Sequence, residues 1–329
     1  MSRLLVDTAH QSDGVPGLAL EGDRLRLTLF PSTGAKIYEL IHRPTGVNLL
    51  WTNPRVPLRP TYPGAAFDDV WCGGWDELFP TDTPCEFDGN SFHDHGDLWH
   101  GPWEWTIERD DGVEATVHLR RFAVALPCLM EKWITLLRDE QHVSFVHRLT
   151  NIGQGPVPFV WNLHVAHSID PSSRIHLPTR SVSPVSVQPG RFGDGPEELS
   201  WPSHGDVDMG AVPSADAGLT EWLYTRELDE GWCAVMHPSH GVGLSLTFDE
   251  KLFKTVWLWG VYGGWRGHYV LLTEPCTSAP GGLAASIADG TAAWIESGGM
   301  IETRVVATIL NDVRTAAPDE RPTGVRTND

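Results

Sequence analysis

Apolar side chains along this chain repeat with a period close to two, and that spacing belongs to strands whose alternate residues face a core. Arg24-Leu25-Arg26-Leu27-Thr28-Leu29 alternates strictly, and Val113, Ala115, Val117 and Leu119 alternate with Glu114, Thr116 and His118. The same template fits Trp133 to Leu137, His142 to Leu149, Gly241 to Phe248, Lys254 to Trp259, Tyr269 to Thr273 and Met300 to Leu310. Turn signals such as Asp110-Asp111-Gly112, Asn151-Ile152-Gly153 and Ser297-Gly298-Gly299 bound these segments. No window carries a sustained helical period with caps. Strands separated by turns, without helical patterns between them, predict an all-β chain of stacked antiparallel sheets. The 33 Gly and 25 Pro also disfavour long helices, and 15 Trp against 5 Tyr supply flat apolar surfaces.

A length of 329 residues is within reach of one large all-β unit. Residues 1–312 are therefore expected to form a single sandwich domain, and the Pro-rich, charged stretch 313–329 a disordered tail. Residues 55–102 are too rich in large aromatics for a linker, whereas residues 181–217, polar and full of Pro and Gly, are expected to be a surface excursion.

The formal charge of −19, from 24 basic and 43 acidic residues, argues against nucleic acid and anionic membrane as partners. Only Lys36, Lys132, Lys251 and Lys254 are lysines, and no basic run exists. The five cysteines have no C-x-x-C pairing, so neither a disulfide framework nor a thiolate zinc site is expected. Met1 to Asp7 lacks the apolar core of a signal peptide, and no apolar run is long enough to cross a bilayer. A soluble, cytoplasmic protein is expected.

Three segments could carry chemistry. Phe92 to His100 is the densest titratable cluster, and in an extended segment His93 and His95 would share a side, as a metal-binding pair does. The carboxylate expected shortly after such a pair is missing, so a polar loop is the competing reading. On a strand, Asn162 and His164 share one face while Trp161 and Leu163 share the other, and a buried imidazole there needs partners. Glu274 ends the apolar strand Leu271-Leu272-Thr273, where burial would raise its pKa toward that of a useful base.

These segments fall in the order of a known family. The matching blocks are Ser32 to Ile37, Thr45 to Trp51, Gly73-Gly74-Trp75-Asp76-Glu77-Leu78-Phe79-Pro80 and Asp94-His95-Gly96-Asp97-Leu98-Trp99. Phe159 to His164, Trp257 to Gly260, Gly263-Gly264-Trp265 and Thr273-Glu274-Pro275 follow. From about residue 20 to 312 the chain resembles the galactose mutarotase-like superfamily, which includes the aldose 1-epimerases. The resemblance implies a β-supersandwich of large antiparallel sheets with a sugar cleft on one sheet. It also implies Glu274 as general base on the anomeric hydroxyl, His164 as general acid toward the ring oxygen, and His95 as a hydrogen-bonding partner of the sugar.

Asp94, Trp75, Trp99, Trp259 and Arg266 complete the expected substrate-binding set, the indoles as platforms for the sugar's apolar face. The arginine of familiar aldose 1-epimerases has no clear counterpart; Arg266 and Lys36 are the candidates. Scarce lysine favours a neutral sugar over a phosphorylated or sulfonated one. The expected function is cofactor-free exchange of sugar anomers by a monomer or homodimer, without metal. The rivals are a non-catalytic sugar-binding protein of the same fold, a metal-dependent oxygenase or isomerase built on His93 and His95, and an epimerase or lyase acting at another carbon.

Overall fold

The computed structural model describes residues 3–187, 191–192, 197–311 and 321–325. Among them a twelve-stranded and an eight-stranded sheet dominate, and every strand pair within these two sheets is antiparallel. The sheets pack face to face: Trp75 of the larger meets Phe145 of the smaller with ring centroids 4.7 Å apart.

The two sheets solve burial differently. In the smaller one, strands Cys128–Leu137 and His142–Asn151 alternate between buried and half-exposed residues, as period two predicts. Its outer face meets solvent, where His118 stacks flat on Trp133 at 4.3 Å and the Arg148 guanidinium lies 4.9 Å from the same indole. In the larger one, strands Asn162–His167 and Tyr269–Cys276 are buried almost end to end. The cause is a second apolar layer on the outer face, in which Trp51, Phe67, Trp71 and Trp99 lie over Ala166, Val261 and Leu272. The stretches on either side of strand Trp75–Leu78 supply most of that layer through Ala65, Phe67, Trp71 and Trp99, so they form a cap over the sheet.

Helix is scarce, as expected: Phe67–Val70 and Gly282–Ala288, plus a 3₁₀ turn at Ala215–Ala217. Residues 181–217 depart from expectation. Strand Ser181–Ser186 extends the larger sheet, and Val182, Leu199 and Trp201 join the main core, because the polar composition hides a few well-placed apolar anchors. Residues 188–190 and 193–196 of that stretch lie outside the described residues. Of the expected tail, only 321–325 are described; there Arg321 pairs with Glu230 at 3.0 Å, and Val325 packs beside Trp232 and Leu310. Among the described residues no helix is long and apolar enough to cross a membrane. All five cysteines are free, four of them buried.

A buried charge cluster ties the sheets together. Glu77, fully enclosed, takes hydrogen bonds from Lys132 at 3.4 Å, His147 at 3.0 Å and the Trp161 indole at 2.8 Å. Burial alone would raise its pKa, but the His147 and Lys132 charges and the donors around it bring the carboxyl down to about 2.

Candidate active site

Strand register assembles a row of chemistry across the outer face of the larger sheet. Ile37 pairs with Trp75, which sets Lys36 beside Asp76, and Asp76 pairs with His164. Asn162 pairs with Cys276 and Val165 with Thr273, which brackets His164 opposite Glu274; Glu274 in turn pairs with Trp257. Cross-strand neighbours place their Cβ atoms about 4.5–5.5 Å apart on one face. Two adjacent strands thus deliver the carboxyl and the imidazole side by side.

They open onto a cavity of about 250 Å³. His164, Glu274 and Leu78 belong to its base, Trp222, Trp257 and Trp259 rise from the neighbouring strands, and Phe67, Asp68 and Trp71 come from the short helix and its end. Asp82, Thr83, Asp94 and His95 close it from the loops.

The loop that carries His95 is built by backbone geometry. His95 has φ of 61° and Gly96 of 70°, a left-handed pair that turns the chain so that the Gly96 amide donates to the His93 carbonyl at 3.0 Å. Asp97 then donates to the Phe79 carbonyl at 2.8 Å. The segment is therefore a turn and not the extended stretch that a metal-binding pair would need, and it separates the two histidines. His93 is exposed against Gly64, while the His95 ring stacks on Phe67 at 3.8 Å and its Nδ1 meets an Asp94 carboxylate oxygen at 2.9 Å.

A Cβ at Gly96 would stand 2.0 Å from the Phe79 carbonyl oxygen. Gly96→Ala is expected to cost about 2 kcal/mol or more in stability, from the clash and the left-handed backbone together. Calorimetric unfolding checks this, and an unchanged Tm would contradict the turn described here.

Electrostatics divide the central pair. Burial, helped by the nearby Asp82 charge, pushes Glu274 up to about 8 against the opposing hydrogen bond that the Asn162 amide donates at 2.8 Å. Burial, with the His95 and Lys36 charges adding to it, holds His164 well below the usual imidazole range. Both shifts favour the neutral form near neutral pH, a protonated Glu274 carboxyl beside an uncharged His164 imidazole. Phe67 and Trp71 meet the His164 ring edge-on at 5.4 and 5.7 Å, fixing its plane.

Of the residues singled out in the sequence, Glu274, His164, His95, Asp94 and Trp259 line this cavity. Trp75 does not: alternation along Trp75–Leu78 sends it with Glu77 into the core between the sheets, while Asp76 stands beside His164 on the cleft face. Trp99 lies behind the cavity, edge-on to Phe67 at 4.9 Å, with its indole donating to the Gly96 carbonyl at 3.2 Å. Arg266 sits on the exposed rim, bound to the Asp68 carbonyl at 2.7 Å and to Asp69 at 2.8 Å, and its guanidinium covers Trp265. Lys36 is buried in an ion pair with Asp76. Among the described residues no Lys or Arg lines the cavity, and no group of three or more His, Cys, Asp or Glu could hold a metal ion.

Several lining residues were not singled out from the sequence. Trp257 carried a signal, since it stands two residues before Trp259 and shares its face. Phe67, Trp71, Asp82 and Trp222 reach the site only through tertiary folding, which local pattern does not encode.

Two large antiparallel sheets with a capped cleft on one of them define a galactose mutarotase-like fold. Solved structures agree: a proposed aldose 1-epimerase from Klebsiella pneumoniae superposes with a TM-score of 0.70 at 16% identity, over 93% of this chain and 83% of that one. The Slr1438 protein of Synechocystis sp. PCC 6803 gives 0.68 at 18% identity, over 93% of this chain and all of that one. A galactose mutarotase-like protein from Clostridium acetobutylicum gives 0.63 at 12%, over 94% and 99%. Within this fold, the chain belongs to the family described as a domain of unknown function, DUF4432, which matches residues 12–309. No curated protein matches it in sequence.

Proposed function

We propose that the chain is an isomerase that exchanges the anomers of a free aldose. The observation that carries this reading is the adjacency of Glu274 and His164 on one face of one cavity. Ring opening needs a proton taken from the C1 hydroxyl and one given to the ring oxygen. Neutral His164 takes the first and protonated Glu274 gives the second, so the bond between C1 and the ring oxygen breaks as the C1 carbonyl forms. After rotation about the bond between C1 and C2, the two groups exchange roles and the ring recloses as the other anomer. No atom or electron is gained or lost. This starting arrangement reverses the one the resemblance implies: here Glu274 serves the ring oxygen and His164 the anomeric hydroxyl, each as acid in one half of the cycle and base in the other.

Each proton transfer supplies about 10²–10⁴-fold. The indole faces of Trp257 and Trp259 suit the apolar face of a pyranose, and His95, held by Asp94, offers a polar contact to a hydroxyl. With Asp68, Asp82 and Asp94 in the lining, and neither Lys nor Arg there among the described residues, the substrate class expected is an uncharged sugar. Polarimetry across a panel of sugars tests this. At least one free aldose should be accelerated, and its phosphate ester should have a kcat/KM lower by about tenfold or more, one unfavourable charge contact being worth about 1.4 kcal/mol or more. Faster turnover of the phosphate ester would overturn the assignment of substrate class.

A further inference from the structure

The row of side chains across the sheet holds two complementary groups that the mechanism has not yet used. Asp76 is fully buried, and its Oδ2 is held by the Lys36 ammonium, which also donates to the Gly73 carbonyl at 2.8 Å. Its other oxygen, Oδ1, is buried without a partner. His164, its register neighbour on the adjacent strand, has a buried Nδ1 that also lacks a partner. Leaving both unsatisfied is costly, and each is the partner the other lacks, an acceptor oxygen facing a ring nitrogen that can donate.

We propose that Asp76 is a positioning residue for His164: its Oδ1 accepts a hydrogen bond from Nδ1–H of the imidazole, fixing the tautomer whose Nε2 is the proton acceptor in the cavity. The other tautomer turns the Nδ1 lone pair toward a carboxylate oxygen, which repels it. Asp76 does not line the cavity, so it acts through the imidazole and leaves substrate binding to others. Lys36 anchors and neutralises the carboxylate, which keeps it from drawing a second proton onto His164. The remaining groups facing the ring are Glu274 from the opposite strand, His95 from its loop and the edges of Phe67 and Trp71. An orienting carboxylate behind a catalytic imidazole can be worth up to about 10⁴ in rate.

The role assigned to Nε2 rests on the anomer-exchange reading, but the tautomer does not, so the test separates them. In protein labelled with ¹⁵N-histidine, at a pH where the ring is neutral, the His164 resonance is assigned by its loss in His164→Ala. The wild type is expected to show a protonated Nδ1 and a bare Nε2. In the double variant Lys36→Met/Asp76→Leu, which removes both buried charges together, the proton should move to Nε2 or divide between the nitrogens. That variant should lose on the order of 10²-fold in kcat with KM within about threefold of wild type, as expected of an orienting carboxylate. A wild-type ring protonated on Nε2 overturns the proposal, and this spectrum decides even if the variant does not fold. An effect confined to KM overturns it too. A wild-type ring protonated on Nδ1 in a protein that exchanges no sugar upholds the couple while refuting the enzymatic reading.

Discussion

Glu274→Gln should lower anomer exchange by on the order of 10³-fold or more, because the carboxyl carries one proton transfer in ring opening and one in reclosure. The amide keeps the size of the side chain and can still meet Asn162, so sugar binding should survive within a few-fold. The same substitution should raise stability, and the sign follows from the pKa. Burial raises the folded carboxyl to about 8 from an ordinary value of 4.5. Its contribution to stability is complete below about 4.5 and is lost as the pH climbs through 8. Glutamine does not titrate, so the Tm advantage of the variant should be small at pH 5 and greatest above pH 8. In the wild type, exchange should hold across neutral pH and fall above about 8, as Glu274 loses the proton it gives to the ring oxygen. Loss of activity joined to a gain in stability marks a group kept for chemistry. Exchange left intact in Glu274→Gln would remove the carboxyl from the mechanism.

Glu77→Gln should act in the opposite sense, with the largest stability loss expected of any substitution considered. Lys132, with 2% of its side chain exposed, would keep a buried charge with no anion opposite it. Breaking such a pair from one side costs about 3–5 kcal/mol, against a total folding stability of about 5–15 kcal/mol. The pH dependence is distinct as well. With its carboxyl depressed to about 2, Glu77 contributes its full stabilisation above about 4.5 and loses it as the pH falls from there toward 2. Acid unfolding of the wild type should therefore sharpen in that interval, while Glu77→Gln is already weakened at pH 7. Replacing both partners, as Glu77→Gln/Lys132→Met, should recover part of the loss. A change under about 1 kcal/mol in the single variant would mean that the cluster is not the tie between sheets described here.

How far the sequence could be read depended on what covered each strand. The smaller sheet was legible because one face is wet: Cys128–Leu137 alternates along its whole length. Tyr269–Cys276 hides its parity, because the aromatic cap makes both faces apolar and Val270, Leu271 and Leu272 read as one run. The same ambiguity misplaced Trp75, which looked like a sugar platform and packs on Phe145, although the adjacent Asp76 faces the cleft. Glu274, His164 and His95 could be named because each stands in a recognisable block. Phe67, Trp71 and Asp82 could not, since a loop carries them over the sheet and only the folded register of five strands shows where they meet His164 and Glu274. Asn162 was half legible: period two placed it on the face of His164, and the fold adds that its amide holds the Glu274 carboxylate at 2.8 Å.

The central claim is that this cavity opens and recloses a sugar ring through Glu274 and His164. Exchange NMR in D₂O on a panel of free aldoses tests it most directly, by reading the interconversion of the two anomers and the isotope content of each carbon position. The result expected is acceleration of at least one sugar over a buffer control, lost in Glu274→Gln, with no deuterium entering at carbon. No acceleration of any sugar, or deuterium incorporated at a carbon, would contradict it.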